Sequence, residues 1–173
     1  MNIDQWIAEI QYQNLGEMYE PELSTALEES INLGRVFELS CKYWEYIFNP
    51  QHEDIDKVKG KWVLFGNVHA CNGHLMKSLK SAMNEGIAPA VKWPNPEWKT
   101  SGPVCLYVND PMKSIELLQH MKRWNALPKV KSGALKDVVW KSDQQTYNGE
   151  YGDKFVASCK LSDLINLETG EPI

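Results

Sequence analysis

The spacing of apolar residues changes part-way along this 173-residue chain. In the first third it is helical. Ser24 precedes a stretch holding Leu27, Ile31 and Leu33, and Gly34 follows as a stop signal. From Val36 to Ile47, the residues Val36, Phe37, Leu39, Trp44, Tyr46 and Ile47 predict a second helix, ended by Asn49-Pro50. Beyond the acidic stretch Glu53 to Asp56 the pattern shortens into runs bounded by glycine or proline. Gly60–Gly66, Ala88–Trp93, Pro103–Asn109, Asp137–Lys141 and Lys154–Leu161 each predict a strand. Two helices are expected among them. One runs from about His69 to Asn84, with Leu75, Met76, Leu79 and Met83 on one side and Gly86 closing it. The other runs to about Asn125, with Asp110 as N-cap, Pro111 at the first helical position and a stripe of Ile115, Leu118, Met121 and Trp124. The tail from Glu168 to Ile173 is polar and expected to be loose. The chain thus divides into a helical region over 1–57, a sheet-and-helix core over 58–165 and a tail over 166–173. The class is α+β or α/β: four to six strands, helices on one face, the other face partly open.

Alternation along the strands sorts side chains onto two faces. Trp62 and Leu64 oppose Lys61, Val63 and Phe65. Pro89, Val91 and Trp93 oppose Ala88, Ala90 and Lys92. Val104, Leu106 and Val108 oppose Cys105, Tyr107 and Asn109, and Val138 and Trp140 oppose Asp137, Val139 and Lys141. The large apolar set belongs under the helices, so Trp62, Trp93 and Trp140 are expected in the core. The other set combines lysines, a tyrosine and small residues. Small residues leave room for a ligand, Lys61, Lys92 and Lys141 supply charge, and Tyr107 supplies a directional hydroxyl. A phosphate facing three lysines gains several charge-assisted hydrogen bonds. The alternative is a solvated face whose lysines meet only water. Trp98, after the Pro94-Asn95-Pro96 turn, is the preferred stacking residue, and it or Lys99 is expected to cover a ligand.

Charge sharpens this picture. The net charge of −5 hides an asymmetry: residues 1–60 carry 12 acidic and 4 basic side chains, residues 61–141 carry 5 and 12, and residues 142–173 carry 6 and 2. An acidic protein is a poor nonspecific nucleic-acid binder. A basic middle between acidic ends points instead to a local anion site, and leaves the acidic N-terminal helices as a surface for a protein partner. No apolar run has the length of a membrane span, and Met1-Asn2-Ile3-Asp4 does not open a signal peptide, so a cytoplasmic protein is expected. Cys41, Cys71, Cys105 and Cys159 are scattered and expected to be reduced. His69, Cys71 and His74 have ligand-like spacing but lack a fourth partner, so no metal is expected. No cysteine is paired in sequence with a histidine as a nucleophile. Without a Walker A loop or a GxGxxG, no cofactor is expected either.

Gly60-Lys61-Trp62-Val63-Leu64-Phe65, followed by a helix and Ala90-Val91-Lys92, resembles the domain of the basophilic-leukemia-expressed proteins. The run from Lys141 to Tyr151 resembles that family's Lys-x-Asp-x-x-Thr-Tyr-x-Gly-x-Tyr signature, so the likeness spans roughly 58–152. It implies the fold of the cap-binding translation initiation factor, a curved, mainly antiparallel sheet backed by helices. It also adds Asp143 and Tyr147 to the ligand-binding candidates. Some members are labelled phosphothreonine lyases, after bacterial effector enzymes. On that likeness Lys92 matches the general base, Tyr107 a tyrosine in a Leu-Tyr-Val strand, and Lys141 a phosphate-gripping arginine ahead of Asp143. Val63 stands where the catalytic histidine would be. β-Elimination needs a base for the Cα proton and an acid for the leaving group, and losing one partner costs about 10²–10⁴-fold. The expected function is therefore a binding module for a phosphate-bearing ligand: a nucleotide or signal nucleotide, with the protein acting as a sequestering agent, for example in a phage or bacterial defence setting. A lysine-based eliminase acting on phosphopeptides is the alternative, and a protein-interaction domain the third reading.

Overall fold

In a computed structural model, which describes residues 8, 20–67 and 74–173, seven strands form one antiparallel sheet in the order β1-β2-β4-β5-β3-β6-β7. The strands are β1 (Phe37–Ser40), β2 (Trp44–Phe48), β3 (Gly60–Asn67), β4 (Ala90–Pro94), β5 (Ser101–Val108), β6 (Val139–Ser142) and β7 (Cys159–Lys160). The helices are α1 (Glu20–Leu33), α2 (His74–Asn84), α3 (Ile115–Arg123) and the short α4 (Asp143–Tyr147). The class is α+β. Among the described residues no helix is long and apolar enough to cross a membrane.

The helix expected over 36–47 is a β-hairpin, β1–β2, with Phe37 opposite Phe48 and Leu39 opposite Tyr46. The same apolar residues also satisfy a period of two. Leu39 together with Tyr46 and Phe48 packs on one face while Ile47 packs on the other. Aromatic and β-branched residues favour that outcome once a neighbouring strand is available, and β4 supplies it. Two further expectations change. The strand expected over 154–161 shrinks to Cys159–Lys160. The tail is tied down: Asn166 N–H donates to the Glu171 carbonyl at 2.8 Å, Ile173 N–H to Leu164 at 3.1 Å, and Gln119 holds the Gly170 carbonyl at 3.0 Å.

The helix ends follow the sequence signals. Gly86 has φ +71, and Gly86 N–H and Ile87 N–H return to Met83 and Ala82, which closes α2. The Asp110 carboxylate accepts from Met112 N–H at 2.9 Å, but the turn it caps, Pro111–Lys113, is 3₁₀, and α3 starts only at Ile115. Ser114 at that junction accepts the indole N–H of the fully buried Trp62 at 2.7 Å. It thereby ties β3 to the helix that covers it.

The sheet has a core on each face. Trp62, Leu64, Val91, Trp93, Val104, Leu106 and Trp140 pack with Leu79 and Met83 of α2 and Leu117, Leu118 and Met121 of α3. The three tryptophans therefore lie in the core, as alternation requires. Ala88 belongs to this cluster as well, not to the lysine face, because it precedes the strand whose alternation was used to place it. On the opposite face Leu39, Tyr46, Phe48, Ala90, Cys105 and Tyr107 form a second, smaller core with Ile55 and Val58 of the loop before β3. Gly60 fits where β3 passes β6: a Cβ there would lie 2.4 Å from the Trp140 ring and 2.6 Å from the Lys141 carbonyl oxygen.

Candidate ligand-binding cleft

The second face is not an open sheet. The loop holding Ile55 and Val58 covers one part of it, and the segment from α4 to Phe155 covers another. Beside the latter segment lies a cleft of about 880 Å³. Its floor comes from β3, β4, β5 and β6, and carries Lys61, Lys92 and Lys141 beside Val63, Cys105 and Val139. Its walls are largely aromatic: Trp44, Phe65, Tyr147, Tyr151 and Phe155. Alternation is the reason the lysines share it. Lys61 and Lys141 are direct cross-strand partners on β3 and β6, while Lys92 on β4 lies opposite Cys105.

These lysines do not simply face water. Lys61 is 9% exposed, Lys92 6% and Lys141 8%. Each is held differently. Lys61 Nζ donates to Asp143 Oδ1 at 2.7 Å and lies 5.3 Å from the centre of the Tyr107 ring. Lys92 Nζ lies among three rings, at 4.7 Å from Trp44 and 5.8 Å from both Tyr46 and Tyr107. Lys141 Nζ donates to the Glu150 carbonyl and sits 3.5 Å from the Tyr151 ring and 5.2 Å from Phe155. Burial, and then the charge of Lys61, hold the Lys141 amine below the ordinary lysine range, with Glu150 acting in the opposite direction. Ring faces attract cations through their quadrupole, so the aromatic walls help keep three ammonium groups in one hollow.

The 143–155 segment is built to stay in place. Ser142 caps α4 by accepting Gln145 N–H at 3.0 Å, and the Gln145 side chain returns to Ser142 N–H at 3.1 Å, a capping box. Gln145 also donates to the Val156 carbonyl at 2.8 Å. The Asp143 carboxylate then reaches back to Lys61, so the start of the helix is pinned to the sheet floor.

The sites expected from sequence are partly assembled. Lys61, Lys92, Lys141, Asp143 and Tyr147 all line the cleft. Tyr107 does not: it is fully buried beneath Lys61 and Lys92, so it supports their amines from below and is not positioned to orient a ligand by touching it. Trp98 lies apart, in a shallow depression with Ser40, Lys42, Asn95 and Glu97. It meets the cleft only through its neighbour Trp44, ring centre to ring centre 6.2 Å. Lys99 stands over the Trp98 ring at 5.8 Å and does not line the cleft. Neither Trp98 nor Lys99 covers it, because the proline turn carries them past the edge of β4. Trp44, Thr146, Glu150 and Phe155 were missed. Trp44 was hidden by the helical reading of its segment; the aromatic run Tyr147, Tyr151, Phe155 after the last cleft lysine was the available signal for the rest.

Val63 faces the cleft between its cross-strand neighbours Cys105 and Val139, and its side chain has no proton to donate. Of the metal candidates, His69 and Cys71 lie outside the described residues. Among the described residues no three His, Cys, Asp or Glu side chains gather as ligands. The cleft sets cationic groups beside flat, apolar surface. Comparison with known proteins yields no matching family model, no matching curated protein and no matching solved structure, so the reading of this cleft rests on its own chemistry.

Proposed function

We propose that this protein is a binding module for a small phosphate-bearing ligand, with nucleotides as the best-fitting class. One observation carries the proposal: three lysines, each less than a tenth exposed, share the floor of an 880 Å³ cleft with aromatic walls. Lysine is seldom buried, because desolvating an ammonium is costly. Three in one hollow concentrate positive charge where a phosphate would gain several charge-assisted hydrogen bonds. The apolar walls would take a base and sugar while the floor takes phosphate. Membership of the basophilic-leukemia-expressed family is part of the same proposal. It is supported by the meeting of the Gly60–Phe65, Ala90–Lys92 and Lys141–Tyr151 stretches at one cleft. A sequestering role for a signal nucleotide fits a cleft of this volume lined by cationic and aromatic side chains. The elimination reading has less support, since Val63 replaces the acid and Tyr107 is sealed under the floor.

The test is calorimetric titration and thermal shift with mononucleotides, cyclic dinucleotides and a phosphothreonine peptide. At least one nucleotide is expected to bind. Lys92→Met should weaken it roughly tenfold to a hundredfold, since a hydrogen bond to a charged group contributes about 1.5–3 kcal/mol. Lys42→Met, at an exposed residue outside the cleft, should not. Absence of binding by every phosphorylated compound would end this reading. Loss of phosphoric acid from the peptide, seen by mass spectrometry and abolished by Lys92→Ala, would replace it with the lyase.

A further inference from the structure

Lys141 differs from Lys61 in a way that anion binding does not require. Its cross-strand partner Lys61 is matched by Asp143 at 2.7 Å. Among the described residues no carboxylate forms an ion pair with Lys141; its amine is held by a backbone carbonyl and two rings. So a buried amine with no carboxylate partner stands beside a second buried cation and opens onto a large, mostly apolar cleft. Desolvation together with a neighbouring positive charge is the environment that makes a lysine nucleophilic, because both favour the neutral amine. The direction of its proton affinity agrees, burial acting first and Lys61 second, against the opposing charge of Glu150.

We propose that Lys141 forms a Schiff base with phosphate-bearing aldehydes or ketones, the phosphate resting on the other lysines of the floor. The inference rests on the anion-binding reading of the cleft. In the reaction the Nζ lone pair adds to the carbonyl carbon, and one amine proton passes to the carbonyl oxygen to give a carbinolamine. That hydroxyl leaves as water with a second proton, and the C=N bond forms. Amine plus carbonyl gives imine plus water, with no change of oxidation state. Tyr151, an exposed residue, lies between the amine and the outside of the cleft, its ring 3.5 Å from the Lys141 amine.

The experiment uses the intact wild-type protein, pyridoxal 5′-phosphate as the carbonyl probe, and borohydride to reduce any imine to a stable secondary amine, followed by peptide mapping. Lys141 is expected to be modified before the exposed Lys131 and Lys136, with adenosine monophosphate or inorganic phosphate slowing the reaction. Lys141→Arg, which keeps the positive charge, should remove that modified peptide. Modification concentrated on Lys61 or Lys92, or spread evenly over surface lysines, would overturn the proposal. So would an Arg variant labelled in the cleft to the same extent as wild type. The two readings fail separately. Stabilisation by nucleotides with no adduct at Lys141 sinks only the Schiff-base proposal. An adduct at Lys141 that neither nucleotide nor phosphate slows supports the reactive amine and counts against anion binding.

Discussion

Replacing Asp143 by asparagine should move stability and affinity in opposite directions. Asp143 is the only carboxylate held by Lys61 among the described residues, at 2.7 Å, with side-chain exposures of 29% and 11%. Exposed pairs contribute about 0–1 kcal/mol, while breaking a fully buried one costs about 3–5 kcal/mol. A pair of intermediate burial should lie between, at roughly 1–2 kcal/mol. Asparagine keeps the shape, and the Ser142–Gln145 capping box that fixes the start of α4 does not involve residue 143. The loss therefore falls on the ion pair, and Lys61 is left facing Lys141 across β3 and β6. For a chain of this size that loss lowers Tm by roughly 2–8 °C. On the proposed binding mode, the freed ammonium turns to the phosphate of the ligand. Because 1.4 kcal/mol corresponds to tenfold in Kd, binding should tighten by up to about tenfold. The assay is thermal unfolding of the ligand-free variant beside calorimetric titration with adenosine monophosphate. A variant that binds more weakly than wild type would refute the reasoning, because Asp143 would then contact the ligand directly and not compete with it for Lys61.

Lys141→Met should stabilise the ligand-free protein while weakening nucleotide binding, since methionine fills the space without a charge to desolvate. The folded value of Lys141 lies below its ordinary 10.5, so between the two the unfolded chain holds more protons; the penalty is fully present below the folded value and fades as pH rises toward 10.5. Urea unfolding from neutral pH upward should show that contribution in wild type and lose it in the variant. Gly60→Ala should destabilise by about 1–3 kcal/mol or more, since its methyl would run into both the buried Trp140 ring and a backbone oxygen; a chemical-denaturation midpoint equal to wild type would contradict this. Ser114→Ala leaves the buried Trp62 indole N–H without its acceptor, and should cost about 1–3 kcal/mol in the same measurement.

The alternation of side chains along the strands was legible in the chain. It placed Trp62, Trp93 and Trp140 in the core and Lys61, Lys92 and Lys141 on the opposite face, because period two follows from the backbone alone. The capping of the turn before α3 by Asp110 and the glycine stop of α2 were legible for the same local reason. Long-range pairing was not. Residues 36–47 suit both periods, and only the availability of β4 as a partner makes them strands and carries Trp44 into the cleft. Alternation names a face but not a strand order, and the order β4-β5-β3-β6 is what gathers lysines from three separate stretches into one hollow. Nor does spacing in sequence say what will cover a face. The Asp143–Phe155 segment folds back over the lysines, turning a solvated surface into a cleft, while Trp98 passes by its edge. The sequence by itself determined which residues carry positive charge on one face of the sheet; the tertiary structure decided which of them share one cleft, because that depends on contacts between segments far apart in the chain.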